Sequence, residues 1–317
     1  MTQEPEHTPD EPPAAEPPAT KTRRSRPALA GGLLFLGLLL LCFAFALLLL
    51  AQDPDESSEE GPRIGVLEIS GVLTSSRGAL ETLRAYRKSE KIKAVVVRLN
   101  TPGGAVGPAQ EIFREIQRTR KSKPVVASMG TLAASAGYYI AAACQEIIAN
   151  PGTLTGSIGV ITQTTEVSQL LALARIRANT LTSGKHKDTG SPLRAMTDED
   201  RRVLQAVVDR IHKQFVRDVA KGRGLTVSTI TPLATGRVIT GEEAKEKRLV
   251  DRLGNFSDAL EAAAKLAKAE GEPVPVYRRG ARSLLSRILE EAGVKAATTL
   301  QRELSRRLRI EARHPGL

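Results

Sequence analysis

The chain has no tryptophan, only 3% aromatic residues, two cysteines and four histidines among 317 residues. A stacking platform for single-stranded nucleic acid needs aromatic faces beside its basic groups. Here the lysines and arginines are spread over predicted helix surfaces and the C-terminal tail without such interleaving. The formal net charge of +11 therefore reads as a solvated or membrane-facing surface, with no nucleic-acid partner. Cys42 lies inside an apolar run and Cys144 in the presumed globular part, so neither a disulfide framework nor a metal cluster follows from them. No cofactor is expected. His7 and His314 fall in peripheral segments, which leaves few candidates for imidazole chemistry.

What the chain does contain falls into successive regions. Residues 1–27 are rich in Pro, Glu and Thr, lack an apolar period and end in a basic cluster, Lys21, Arg23, Arg24 and Arg26. Such a segment buries too little apolar surface to fold and is expected to be a disordered cytoplasmic tail. Residues 28–51 are nearly all Leu, Ala, Phe and Gly without a charge. At about 1.5 Å per residue this run exceeds the roughly 30 Å hydrocarbon core of a bilayer. Basic residues precede it, while Asp53, Asp55, Glu56, Glu59 and Glu60 follow in an acidic linker, 52–62. The positive-inside bias then places the N-terminus in the cytoplasm and the rest beyond the membrane. A cleaved signal peptide is the rival reading, but its apolar part is normally about 7–15 residues. An uncleaved transmembrane anchor fits better.

From Arg63 short β-branched runs alternate with helical periods. Strands are expected at Ile64 to Ile69, Ala94 to Leu99, Pro124 to Met129 and Glu146 to Ala149, with another at Ala178 to Leu181. Helices are expected at Ala79 to Ser89, from after Gly104 to about Arg120, and around Ala134 to Cys144. This alternation predicts an α/β domain with a parallel sheet over residues 63–277. Thr197-Asp-Glu-Asp200 reads as a capping-box helix start. Leu204, Val207, Ile211 and Phe215 then form one apolar face. Residues 278–317 form a basic amphipathic tail, equally compatible with a membrane-resting helix and a solvated one.

Three segments could carry chemistry. In Met129-Gly-Thr-Leu-Ala-Ala-Ser-Ala-Gly-Tyr-Tyr139 a strand runs through a turn of small residues into a helix whose first turn holds Ser135. Small neighbours admit a substrate backbone, and a helix start offers unpaired N–H groups, which suits a nucleophile that forms an oxyanion. A plain helix cap is the alternative for Ser135. Asn100-Thr-Pro-Gly-Gly104 follows a buried strand and has the conformational freedom to aim amides at developing charge, although Pro-Gly-Gly is also an ordinary loop. Thr182-Ser-Gly-Lys-His-Lys-Asp188 gathers two lysines, His186 and an aspartate, a set that is often merely solvated.

Taken together, and with Leu154-Thr-Gly-Ser-Ile-Gly159, Gly236-Arg-Val-Ile-Thr-Gly241 and Leu249-Val-Asp251 in the same order, these segments resemble the signal peptide peptidase A (protease IV) family, peptidase family S49, of the Clp/crotonase superfamily. The likeness covers roughly Arg63 to Glu270. It implies repeated ββα units, and a serine endopeptidase acting on remnant signal peptides and other short hydrophobic peptides. By motif position Ser135 is the implied nucleophile and Lys187, rather than Lys185, the general base. Ser157 would orient the lysine, and the Gly104 amide would belong to the oxyanion hole. Ala136 departs from the second glycine that relatives often carry after the nucleophile. The resemblance also implies homo-oligomers whose sites are shared between neighbouring subunits.

A lysine base has a physical requirement. With a pKa near 10.4 only about one free lysine in 2,500 is neutral at pH 7. Burial can lower that pKa by roughly 3–5 units. The rival is a Ser135–His186–Asp188 triad. On an extended segment His186 and Lys187 would point to opposite faces, whereas His186 and Asp188 would share one. Geometry leaves the triad open, and the resemblance favours Lys187. Enzymes acting on acyl thioesters share the superfamily, but a domain outside the cytoplasm has no coenzyme A within reach.

Overall fold

The computed structural model describes residues 37–43, 45 and 61–278. The chain divides into two compact units, Met1–Ser58 and Glu59–Leu317. In the first, residues 37–43 and 45 are exposed helix. Among the described residues no helix is long and apolar enough to cross a membrane. The remainder of the anchor expected at 28–51, the 1–27 tail, nearly all of the linker and the tail beyond Arg278 lie outside the described residues.

The second unit is an α/β fold on one eight-stranded, mostly parallel sheet. Its elements are β1 (Arg63–Leu73), α1 (Arg77–Lys88), β2 (Ile92–Gly104), α2 (Val106–Thr119), β3 (Val125–Ala134), α3 (Ala136–Ala141), β4 (Glu146–Ala149), β5 (Leu154–Gly156) and α4 (Ser168–Leu173). The long α5 (Asp198–Arg223) follows, with α6 (Val227–Ile230) and a 3₁₀ turn at Thr231–Leu233. The chain then adds β6 (Val238–Thr240), α7 (Gly241–Glu246), β7 (Arg252–Leu253), α8 (Phe256–Leu266) and β8 (Val274–Tyr277). Strand order is β6-β5-β3-β2-β1-β8, with β4 between β3 and β7. Every pairing is parallel except β5 with β6.

The run Ala94-Val-Val-Val97 explains why the sheet lies inside. Ala94 and Val96 pack with Ile64, Val66, Val126 and Ile148 beneath α8. Val95, Val97 and Leu99 join the larger core under α1, α2, α3 and the C-terminal half of α5. Strands covered on both faces read as continuous apolar runs because neither side meets water.

Two expectations need correction. Residues 130–134 are not a turn. They continue β3, because its second half finds a new neighbour in β5 through Leu132↔Leu154, Ala133↔Thr155 and Ala134↔Gly156. The strand expected at Ala178 to Leu181 does not form. That stretch has no sheet edge beside it, and Leu181 is 99% exposed. The capping box at Thr197 is present as read: its side chain accepts from the Asp200 N–H while Asp200 reaches back to the Thr197 N–H. Of the apolar face on α5, Phe215 is buried, whereas Val207 is half exposed, since the N-terminal half of this helix projects from the core.

Candidate active site

β3 ends at Ala134 and α3 begins at Ala136, which leaves Ser135 alone at the junction with φ 52° and ψ −119°. A non-glycine residue at positive φ is uncommon and costs on the order of 1–3 kcal/mol. The backbone holds it there from both sides: the Ser135 N–H donates to the Gly156 carbonyl at 3.0 Å, and its own carbonyl accepts from the Tyr139 N–H at 2.9 Å. Ser135 occupies the N-cap position of α3, yet its side chain makes no capping hydrogen bond. The plain-cap reading therefore does not describe it; the hydroxyl is left for other use.

The end of β2 packs under this junction. Thr101 is buried, donates its hydroxyl to the Gly71 carbonyl at 2.5 Å and accepts the Gly103 N–H at 3.0 Å. Gly103 has φ 109°, and a Cβ there would lie 2.8 Å from Ser135 Cβ and 2.9 Å from the Ala136 nitrogen. Gly104, at φ 150°, would place a Cβ 2.2 Å from the Leu73 carbonyl oxygen. Only glycines let this strand end lie so close to Ser135 on one side and to Leu73 of β1 on the other.

Ser135 opens onto two adjoining hollows. One, an open space of about 540 Å³, is mainly apolar: Gly104, Val106, Ala109, Tyr139, Ile211 and Phe215 are among its walls. Three of the chain's few aromatic rings line or support it. Tyr139 packs against Phe113 at 5.1 Å and Phe215 at 4.8 Å between centroids. The Tyr139 hydroxyl donates to Asp218. Burial, and then that hydrogen bond, hold the phenol well above its usual range, so it stays a neutral donor. The second hollow joins Ser135 to Ser157, Asp209 and His212. Ser157 also has positive φ, 49°, and its N–H donates to the Arg237 carbonyl at 2.8 Å.

Of the expected site residues, Ser135, Ser157 and Gly104 thus gather around one cleft. Lys187 does not join them within one chain: it lines neither hollow and is exposed to water. Its segment is a run of turns rather than extended, with Lys187 N–H to Gly184 O at 3.2 Å and Thr189 N–H to His186 O at 3.3 Å. His186, Lys187 and Asp188 therefore do not alternate between two faces as they would on a strand. What separates these side chains is their partners. Lys185 pairs with Glu199 at 2.7 Å, His186 Nε2 lies 3.9 Å from the same carboxylate, and Asp188 pairs with Arg194 at 2.6 Å. Among the described residues Lys187 has no side-chain partner. The Ser135–His186–Asp188 triad is not assembled in a single chain.

One residue of the cleft is not legible as a motif. His212, on α5 beside Ile211, has its Nε2 buried without a hydrogen-bond partner. The only signal for it is helical register: it flanks the apolar face that carries Ile211 and Phe215. Among the described residues no group of three or more His, Cys, Asp or Glu side chains could hold a metal ion.

Comparison with known proteins bears on this geometry directly. The model for peptidase family S49 matches residues 117–270, and that for Clp protease matches 73–153. A protein of Synechocystis sp. named as a protease is 37% identical over 245 residues, covering 73% of this chain and 88% of that protein. A protein of Enterococcus faecium named as the signal peptide peptidase SppA is 32% identical over 267 residues, 77% of this chain and 78% of the relative. Protease 4 of Salmonella typhi is 39% identical over 211 residues, but this chain spans only 33% of its length. The cleft at the β3–α3 junction therefore sits in a serine peptidase, and the chain belongs to peptidase family S49, the signal peptide peptidase A family.

Proposed function

We propose that the chain is a membrane-anchored endopeptidase in which Ser135 attacks the peptide carbonyl and Lys187 of a neighbouring copy takes its proton. The observation that carries this reading is the placement of Ser135: unbonded hydroxyl, strained backbone, apolar cleft on one side and Ser157 on the other. In the first step the serine Oγ bonds to the carbonyl carbon, the lysine amine accepts the hydroxyl proton, and the carbonyl oxygen becomes an oxyanion facing the Gly104 amide. The proton then passes to the leaving amine as the C–N bond breaks, and water repeats the sequence on the acyl-enzyme. Ser157 orients the lysine.

A neighbouring copy is needed because Lys187 lines neither hollow beside Ser135 of its own chain and is exposed to water. The segment that carries Lys187 also has the surface of an unfinished interface. α4 has no buried residue, and Ile161, Leu173 and Leu181 are 82%, 83% and 99% exposed. Covering this arm with a second copy would bury those side chains and dehydrate the amine together.

The substrates are remnant signal peptides and other short hydrophobic peptides, whose side chains suit a hollow walled by Val106, Ala109, Tyr139 and Phe215. The apolar run 28–51 anchors the chain with the peptidase unit beyond the cytoplasm. Externally added protease should digest that unit in intact spheroplasts, and full protection there would reject this placement.

Mixing tests the chemistry. Ser135→Ala and Lys187→Ala chains should each lose peptidase activity by at least roughly a thousand-fold. Co-assembled, they should regain part of it, because one copy supplies the hydroxyl and the other the amine. Undiminished turnover by Ser135→Ala would remove it as the nucleophile.

One observation favours a second reading. His212 shares the hollow with Ser135 and has an unpartnered Nε2, with Asp209 one helical turn before it. As base it would need no second copy. If His212→Ala lost as much activity as Ser135→Ala while Lys187→Ala stayed active, this reading would replace the first.

A further inference from the structure

Residues 160–196 have almost no apolar anchorage, yet the stretch 184–200 is tied down by charge. Arg194 stands at the centre. Its Nε donates to Asp188 Oδ2 at 2.6 Å and its Nη2 to the Asp188 carbonyl at 2.9 Å. On the other side Nη1 donates to Asp200 Oδ2 at 2.6 Å and Nη2 to Asp200 Oδ1 at 3.2 Å. Asp200 is buried and belongs to the first turn of α5, where it also closes the capping box and accepts from the Thr189 hydroxyl at 3.0 Å. A second tie, Lys185 to Glu199, fastens the loop to the same helical turn. Lys187 lies between the two ties, one peptide bond from Asp188, with its own amine unpaired.

We propose that Arg194 is a positioning residue for Lys187: by bridging Asp188 and Asp200 it fixes the lysine-bearing loop to the start of α5 and presents the amine to a neighbouring copy. This rests on the reading of Lys187 as the base. Three features support it. The guanidinium fork satisfies two carboxylates and a carbonyl at once, which an ammonium cannot do in the same geometry. The network touches no core side chain, so its effect falls on where the loop sits rather than on whether the domain folds. The outer pair, Arg194 with Asp188, is partly exposed, and such pairs contribute only about 0–1 kcal/mol to stability, whereas misplacing a catalytic group by about 1 Å costs on the order of 100-fold in rate.

The test exploits the two-copy site. In mixtures of Ser135→Ala chains, which donate the lysine, with Lys187→Ala chains, which donate the serine, Arg194→Lys is introduced into one partner at a time. Placed in the lysine donor it should lower kcat about 10- to 100-fold with KM within about twofold. Placed in the serine donor it should leave the mixture unchanged. Equal losses from both placements would show a general structural role, and no loss from either would show no role; each result overturns the proposal. Asp188→Asn in the lysine donor should reproduce the kcat loss at unchanged assembly size, and any fall in melting temperature should be the same whichever donor carries Arg194→Lys. If the parent mixture regains no activity, homogeneous Arg194→Lys decides: an unchanged kcat overturns the proposal, and a lowered kcat at unchanged KM supports it within one subunit. If Lys187→Ala alone remains fully active, the reading of the base has failed, and the positioning role falls with it.

Discussion

Ser135 and Ser157 stand side by side at the ends of two parallel strands, each one residue past the registered pair Ala134↔Gly156, and both are held at positive φ, 52° and 49°. The hydrogen bond from the Ser135 N–H to the Gly156 carbonyl makes the two junctions one unit. A sheet register, fixed by backbone alone, thus sets the spacing of two hydroxyls in the cleft.

The strain at Ser135 has a measurable consequence. Alanine has no easier access to φ 52° than serine, whereas glycine reaches it freely. Ser135→Gly should therefore be more stable than Ser135→Ala by about 1 kcal/mol. Both should be inactive. Chemical denaturation of the two variants checks this; an alanine variant as stable as the glycine one would mean that the junction relaxes.

Gly103 should prove less replaceable than its place in a Pro-Gly-Gly loop suggests. An added Cβ would meet Ser135 Cβ and the Ala136 nitrogen under 3.0 Å, and the φ of 109° opposes any side chain. Gly103→Ala should destabilise by about 1–3 kcal/mol through overpacking and should also lower kcat, because the clash pushes on Ser135 itself. A variant with parent kcat would show that the strand end can move aside without disturbing the serine.

The sheet and the start of α5 were readable in the sequence for local reasons. Ala94 to Val97 is apolar at every position, and that pattern suits a strand covered on both faces, which β2 is. Thr197 and Asp200 carry their own capping geometry within four residues. What was not readable depends on distant partners. Gly130-Thr-Leu-Ala-Ala134 has turn-like composition, and becomes strand only because β5 arrives beside it. Ala178 to Leu181 has strand-like composition but meets no edge. The separation of Lys187 from the Ser135 cleft follows from ties to Glu199 and Arg194, and spacing along the chain carries no trace of them. His212 enters the cleft only through the direction of α5.

Cys144 offers a clean probe of the core. Burial pushes its thiol up to about 12. At pH 8 only roughly 1 in 10,000 such thiols is ionised, and the thiolate is the reactive form. In a Cys42→Ser background, a disulfide reagent at pH 8 should therefore titrate no thiol in the native protein and a single one in denaturant. Rapid native-state reaction would mean that α3 and its surroundings open far more often than their packing implies.

Acid should loosen the loop that carries Lys187 by a defined route. The hydrogen bond from Arg194, followed by those from the Thr197 backbone and hydroxyl, holds the Asp200 carboxyl well below the usual carboxylate range. An unfolded aspartate titrates near 3.9. The folded value is the lower one, so the unfolded chain binds the proton first. The contribution is complete above about pH 5 and is lost as pH falls through 4 towards the folded value. Asp200→Asn removes the carboxylate while keeping an acceptor for the cap. Its deficit relative to the parent should be constant between pH 6 and 8 and should shrink steadily below about pH 4. Thermal melts across that range check the sign. A deficit that stayed level or grew in acid would mean that the Arg194 bridge does not hold Asp200 ionised, and the geometry assigned to the loop would have to be revised.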